Sequence, residues 1–500
     1  MNYYLGVDLG GTVVKASLFD TNGHEVGTAG RRTTLISEEP GQAERNIAET
    51  RRLTYEAIRG ALDAAGVAGS TVSAVSTTGH GKGLYAIRKD GSPGVGIIST
   101  DTRSIPVAGR ISSAPDFDEI YDRTFQPYWA AHTAPILVWL KEQRPELFGE
   151  IGHILLAKDL LRYFLTGKIA TERTDISGTG LWNNREGRID EEVLRRIGLS
   201  EIETAIPEVL DSHDVAGSVT EEAARASGLA QGTPVMGGLF DVNACALATG
   251  IENSDELAAV VGTWSISEYV SQDVTSAIDA TERYVIQAHC VPSQWMVHEA
   301  SPTSASNLEW FTANLLPDIP EDDRFAYCNR MVEETPNTSV TFFPFLYGDD
   351  LGANATGTFW GIRPGTDRAE IIRGVYEGIV FQHMRHLNKL LSVSDRPRQI
   401  RFAGGATRSE VWMQMFADAL DIPVTVSPAT ELGALGAAIC AAVGNGEFGS
   451  YSEAMRSMTG VRATYEPNRR RGEQLRAKQK RFAEAVEEMA AIWSRYGQTG

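Results

Sequence analysis

Residues 4–20, YLGVDLGGTVVKASLFD, decide the reading of the fold. An apolar run carries one acid, Asp8. The turn Gly10-Gly11-Thr12 follows, and then a second β-prone run from Val13 to Phe19. Two such runs split by a glycine turn predict a β-hairpin. Glycine lets backbone N–H groups approach an anion with no Cβ in the way. The Thr12 hydroxyl adds a donor, and Asp8 is placed to hold a cation. The stretch is therefore a candidate Mg-nucleotide phosphate site. Taken alone, a plain turn between strands is the more ordinary reading.

Working outward, residues 1–30 read as three strands joined by two turns, the second at Asp20-Thr21-Asn22-Gly23. Helical periodicity runs over 42–65. A short strand over 72–76 ends in the glycine-rich turn Gly79-His80-Gly81-Lys82-Gly83. Further strands are expected at 84–87 and 97–99, and helices at 134–142, 157–166 and 191–197. This alternation predicts an α/β protein. A second beginning comes near residue 255. An apolar strand over 257–261, the turn Gly262-Thr263-Trp264-Ser265 and a strand over 266–270 repeat the pattern of the first hairpin. The repeat suggests two related α/β lobes. The boundary is expected at 245–255, giving domains 1–248 and 249–500 with no low-complexity linker. Long helical periodicity over 368–391 and a strand over 399–403 belong to the second lobe.

The 500 residues are 42% hydrophobic and 22% charged, an ordinary globular composition. No run of about 18 uncharged apolar residues appears, so no membrane span is expected. The start, MNYYLGVDLGG, has no basic region before its first acid and does not read as a signal peptide. Cys245, Cys290, Cys328 and Cys440 are scattered and read as reduced, mostly buried thiols of a cytoplasmic protein. The net charge of −19 argues against a nucleic-acid partner. A phosphate site on so acidic a chain must gather positive potential from backbone N–H groups, a divalent ion and a few side chains. Lys15, Lys82, Arg103 and Arg408 lie near the motifs. The basic cluster from Arg469 to Arg481 reads as a solvated helix face.

There is no G-x-x-x-x-G-K-[ST] and no G-x-G-x-x-G opening a helix, so any nucleotide site uses other loops. Gly237-Gly238-Leu239-Phe240-Asp241 puts an acid just after a glycine turn. An Asp there can take a proton from an attacking hydroxyl. It can equally be the N-cap of the helix-like segment that follows. Loop 79–83, with His80, could present polar groups to a polyol or sugar. In Ser99-Thr100-Asp101-Thr102-Arg103, Asp101 could accept bonds from sugar hydroxyls or pair with Arg103. Phe402-Ala403-Gly404-Gly405-Ala406-Thr407-Arg408-Ser409 joins a strand to a helix, where Gly404 and Gly405 permit close approach of a ring or phosphates. The nine tryptophans read as core or interface residues.

The order and spacing of these motifs over residues 3–450 resemble the FGGY family of carbohydrate kinases. The resemblance implies two actin-like (ribonuclease H-like) α/β domains with an interdomain catalytic cleft that takes ATP and a sugar. It places Asp8, Thr12 and Lys15 at metal and phosphate positions, with Gly10 and Gly11 in the same turn. Gly262 and Thr263 become the second phosphate motif. Gly404, Gly405 and Ser409 belong to an adenosine motif, and the segment 431–438, ELGALGAA, is also typical. Asp241 matches the catalytic base, and His80 and Asp101 match sugar contacts. Here the common Gln-Met-His-Gly turn reads Gly79-His80-Gly81-Lys82 instead. Segments 81–85, 237–242, 261–267, 298–311 and 412–418 resemble the L-xylulose kinase group, whose members also accept 3-keto-L-gulonate. The expected enzyme is a cytoplasmic kinase using ATP and Mg2+ on a ketopentose, with a homodimer as the expected oligomer. Rival readings are a kinase for glycerol, erythritol or another ketose, an actin- or Hsp70-like ATPase that moves its lobes, and a non-catalytic sugar sensor.

Overall fold

A computed structural model describes residues 2–262, 264–348 and 354–496. The chain forms two units. One is built from residues 1–252, 270–297 and 431–460, the other from 253–269, 298–430 and 461–500.

In the first unit the expected hairpin forms. β1 (Tyr3–Leu9) and β2 (Val13–Phe19) are antiparallel, with Asp8 opposite Lys15, and β3 (Glu25–Arg32) extends them. β4 (Val72–Gly79) lies parallel to β1, setting Asp8 beside Thr78 and Leu9 beside Gly79. The edge is completed by β5 (Val215–Ser218) and β6 (Pro234–Met236), while the short β7 (Leu239–Phe240) pairs with the end of β4, Leu239 beside Thr78. β1 is buried along most of its length, as a central strand must be. Helix Ile47–Ala65 packs on β2 and β3, and helix Leu432–Gly444 on β1 and β4. The second helix can come so close because β1 offers a glycine: a Cβ on Gly6 would lie 1.9 Å from Ala434 O.

Among the boundaries that differ from the sequence reading, two have a local cause. The first helix begins at Ile47, because the Asn46 side chain accepts from Glu49 N at 2.9 Å and caps it, while Glu44–Arg45 is a two-residue strand. The strand expected at 97–99 is Pro93–Ile97, held by pairing with Leu84–Arg88.

The second unit repeats the hairpin topology. β8 (Glu256–Val261) and β9 (Ser265–Ser271) are antiparallel, and β10 (Gln399–Ala403) runs parallel to β8, followed by β11 (Val424–Val426) and β12 (Ala463–Tyr465). In both units, then, the first hairpin strand has a parallel neighbour that ends in a glycine-containing loop. The basic C-terminal cluster is a mostly exposed helix face, as its sequence suggests, with two of its cations also engaged. On helix Arg469–Tyr496, Arg471 pairs with Asp418 at 2.6 Å and Lys478 with Glu377 at 2.8 Å. No disulfide joins the four cysteines, and all but Cys245 are buried. No helix among the described residues is long and apolar enough to cross a membrane.

Beneath the C-terminal ends of β4 and β7 lies a buried charge network on helix Ala157–Thr166 and segment 171–175. Lys158 Nζ is 2.8 Å from Asp159, 3.4 Å from Asp175 and 3.7 Å from Glu172, and Arg162 is 3.1 Å from Asp159. Removing one partner of such a network strands the others in a dry interior. Lys158→Met should therefore lower unfolding stability by about 3–5 kcal/mol, read by urea denaturation. A change below about 1 kcal/mol would show that the carboxylates do not need this cation.

Candidate active site

Three chain segments meet at one edge of the first sheet because parallel β1, β4 and β7 end together. Asp8 is the next-to-last residue of β1. Loop 79–83 leaves β4, and Asp241 follows β7 directly. Strand ends pointing one way leave their loops clustered, the usual place for ligands in α/β sheets.

The Asp8 carboxylate makes no hydrogen bond among the described residues. Burial pushes its carboxyl up to about 6, with Lys15 opposing the shift and Glu431 adding to it. A Cβ on Gly433 would stand 2.6 Å from Asp8 Oδ2, so glycine there keeps the carboxylate clear. A hard oxygen donor short of a counter-charge suits Mg2+, which takes one or two carboxylates and otherwise waters and phosphate oxygens. The described residues contain no cluster of three or more His, Cys, Asp or Glu able to cage a metal. Lys15 Nζ, expected at phosphates, is bonded to Glu431 at 2.9 and 3.1 Å.

The Gly10-Gly11-Thr12 turn is anchored from behind. Arg45 Nη2 donates to Gly10 O at 2.9 Å and Gly11 O at 2.7 Å. A Cβ on Gly11 would meet nothing within 4 Å, so the protein's own packing does not demand glycine there and the space before the turn is open. Arg45 Nη1 also donates to the Tyr85 hydroxyl at 3.2 Å, which lies 2.9 Å from His80 Nε2. Burial, helped by Arg45, pushes His80 down to about 3 and keeps the imidazole neutral. Arg45 thus ties the glycine turn to the loop after β4. Its role was not legible, because nothing in the sequence around an isolated Arg names its partners.

Asp101 is closed off. Its oxygens accept from Ala43 N at 2.7 Å, Arg103 N at 3.0 Å and Arg103 Nε at 2.9 and 3.0 Å. In this conformation it clamps two loops rather than facing a ligand. Lys82, not His80, projects beside Asp241. Its Nζ lies 4.8 Å from the Trp129 ring centroid and 5.1 Å from that of Phe240. Trp129, read from sequence as core or interface, is 39% exposed.

Asp241 is not an N-cap. The helix Asp241–Thr249 begins with it, Phe240 occupies the cap position and supplies no side-chain bond, and Phe240 N is instead held by Thr174 Oγ1 at 2.9 Å. Burial, with the charges of Asp8 and Asp175, pushes the Asp241 carboxyl well above the usual carboxylate range, and Lys82 opposes this. A raised pKa suits a general base working near neutral pH.

In the second unit, a cavity of about 520 Å³ lies where β8 and β10 end. Val261, Gly262, Gly405, Ser409, Tyr376 and Trp412 help line it. Gly404 is left-handed (φ 96°), and a Cβ there would sit 2.7 Å from Val261 O, so its identity answers to packing against β8. Gly405 has open space in front of it. Ser409 caps helix Glu410–Leu420 and donates to Asn329 Oδ1 at 2.7 Å. Tyr376 and Trp412 rings lie 4.7 Å apart, and the buried Trp412 Nε1 has no acceptor among the described residues. Aromatic walls with a few polar groups are what a flat heteroaromatic ring requires. Thr263 lies outside the described residues.

The chain belongs to the FGGY family of carbohydrate kinases. The model of the family's N-terminal domain matches residues 3–248, and that of its C-terminal domain matches 257–444. It is thus a phosphotransferase with an alcohol acceptor, in a family whose sugar kinases use ATP. The chain is 36% identical to the L-xylulose/3-keto-L-gulonate kinase of Escherichia coli over 91% of each chain. It is 35% identical to a probable L-xylulose kinase of Pasteurella multocida over 98% of this chain and 100% of that one. The fold matches the crystal structure of ligand-bound xylulose kinase from Lactobacillus acidophilus at a TM-score of 0.90 and 22% identity, covering 99% and 100% of the two chains.

Arg45→Met removes the anchor of the glycine turn without touching the space in front of it. Misplacement of a positioning loop by an ångström costs about 10²-fold. Steady-state kinetics should show kcat/KM for ATP falling about 10–100-fold with an unchanged circular dichroism spectrum. An unchanged kcat/KM would leave Arg45 no part in holding the site.

Proposed function

We propose that this kinase transfers the γ-phosphoryl group of ATP to a terminal hydroxyl of a ketopentose, with L-xylulose the first candidate. One observation carries the reading: a partly exposed aspartate with a raised pKa, Asp241, stands where three parallel strands end, beside a second unpaired aspartate. The names of the relatives support the choice of sugar.

Asp241 accepts the proton of the sugar hydroxyl as its oxygen attacks the γ-phosphorus. The new O–P bond forms, the bond to the β-phosphate oxygen breaks, and ADP leaves. Asp8 is the residue that would hold Mg2+, which when bound offsets phosphate charge. The open side of the Gly10-Gly11-Thr12 turn offers backbone donors to phosphates, Lys15 joins it by exchanging Glu431 for phosphate, and Gly262 belongs to the second unit's own phosphate motif. The cavity lined by Gly405, Ser409 and Trp412 takes the adenosine. His80 stays neutral and Asp101 holds its loop, so both shape the sugar side. We assign the sugar contacts, the base and the first phosphate motif to residues 1–248 and the second phosphate and adenosine motifs to 249–500, of which 270–297 and 431–460 pack with the first unit. A cytoplasmic homodimer is the working form we propose.

Asp241→Asn keeps the shape and removes the base. Turnover should fall by about 10²–10⁴-fold, with sugar binding by calorimetry retained. Near-wild-type turnover would refute the assignment. The pH profile follows from the same groups. Asp241 must be deprotonated to act, and Asp8, raised to about 6, must be ionised to hold a cation. Activity should therefore rise with pH, its acid limb lying above the ordinary carboxylate range. Adding Mg2+ should move the Asp8 part of that limb to lower pH, because the cation favours the ionised form. A flat profile from pH 5 to 8 would contradict both roles.

A further inference from the structure

We infer that Lys82 is the specificity residue that lets the sugar site accept a carboxylate-bearing ketose, a keto-aldonate, alongside the neutral ketopentose. The inference rests on the reading of Asp241 as the base of a sugar site.

Lys82 is a buried cation, 6% exposed, whose ammonium lies against the Trp129 and Phe240 rings without a hydrogen-bonding or ion-pair partner among the described residues. A buried ammonium left this way is costly unless something supplies acceptors. Its backbone is left-handed, with φ 62°, a conformation rarely adopted by a residue with a long side chain. Backbone strain of this kind gathers at functional sites, where it aims a side chain. Loop packing shares in the aiming: a Cβ on the preceding Gly81 would lie 2.1 Å from Phe240, so the loop sits tight against the ring that walls the ammonium.

The charges facing Lys82 come from Asp175 and Asp241. Burial pushes Lys82 down to about 8, with both acids pulling it back, so the ammonium stays charged at neutral pH. The acids offset it only in part. Burial pushes Asp175 up to about 7, and Asp241 is raised further above the usual range. Asp175 is also engaged with Lys158. A substrate carboxylate supplies the missing counter-charge through a charge-assisted hydrogen bond, about twice as strong as one to a neutral hydroxyl. The low exposure of Lys82 strengthens it further.

The test compares wild type, Lys82→Met and Lys82→Arg in full-length protein with ATP, using L-xylulose and 3-keto-L-gulonate as the neutral and acidic acceptors. In Lys82→Met, kcat/KM should fall about 100-fold or more for the acid and less than about 10-fold for the neutral ketose. Lys82→Arg should keep the acid within about 10-fold of wild type. Lys82→Gln, which keeps a donor without charge, repeats the comparison if the Met variant does not fold. Equal losses on both acceptors would overturn the inference, as would a wild type that phosphorylates L-xylulose but not the acid. A wild type that uses neither acceptor would overturn the ketose reading itself, and this inference with it.

Discussion

The parallel pairing of β4 with β1 on one side and β7 on the other is the constraint on which the site depends. It puts Asp8, Thr78 and Leu239 in one row across three strands. Because parallel strands end facing the same way, the glycine turn after β1, the loop after β4 and Asp241 after β7 emerge together. A slip of one residue in β4 would turn its side chains to the opposite faces and move the loop away from Asp8. Helix Leu432–Gly444 holds this row. It packs on β1 and β4 so closely that Gly6 and Gly433 have no room for a side chain. The same packing brings Glu431 to Lys15.

Electrostatics in the first unit is arranged by burial more than by charge count. The whole protein carries −19, yet Asp8, Asp175 and Asp241 are all pushed toward protonation, first by burial and then by neighbouring carboxylates. Each faces a different cation: Lys15, Lys158 and Lys82 respectively. This arrangement draws each acid back toward its ionised form. It also concentrates, beneath the loop, the acids that Lys158 and Arg162 hold in place.

The second unit reaches a comparable arrangement by repeating the topology: a hairpin, a parallel neighbour, and a loop with glycines. What differs is the lining. Loop 79–83 presents an ammonium between two aromatic rings, whereas the loop after β10 opens on a cavity with Tyr376, Trp412 and Ser409. One scaffold thus serves polar and flat ligands through the side chains on its loops.

The α/β class, both hairpins, the long helix Arg368–Leu391 and the family were legible in the sequence, because local periodicity, turn chemistry and motif spacing act over a few residues. Asp8 and Asp241 were legible too, as acids beside glycine turns. The partners were not. Arg45 behind the glycine turn and Trp129 beside Lys82 come from segments that carry no motif, and Trp412, although it opens segment 412–418, reads from sequence only as core or interface. The closed-off state of Asp101 depends on Ala43, far away along the chain. Sequence alone determined which elements form and which acids stand at their ends. Tertiary structure decided which cation each acid meets and that Lys82, rather than His80, stands free beside Asp241, because burial and hydrogen bonding are set by segments that become neighbours only when the sheet pairs.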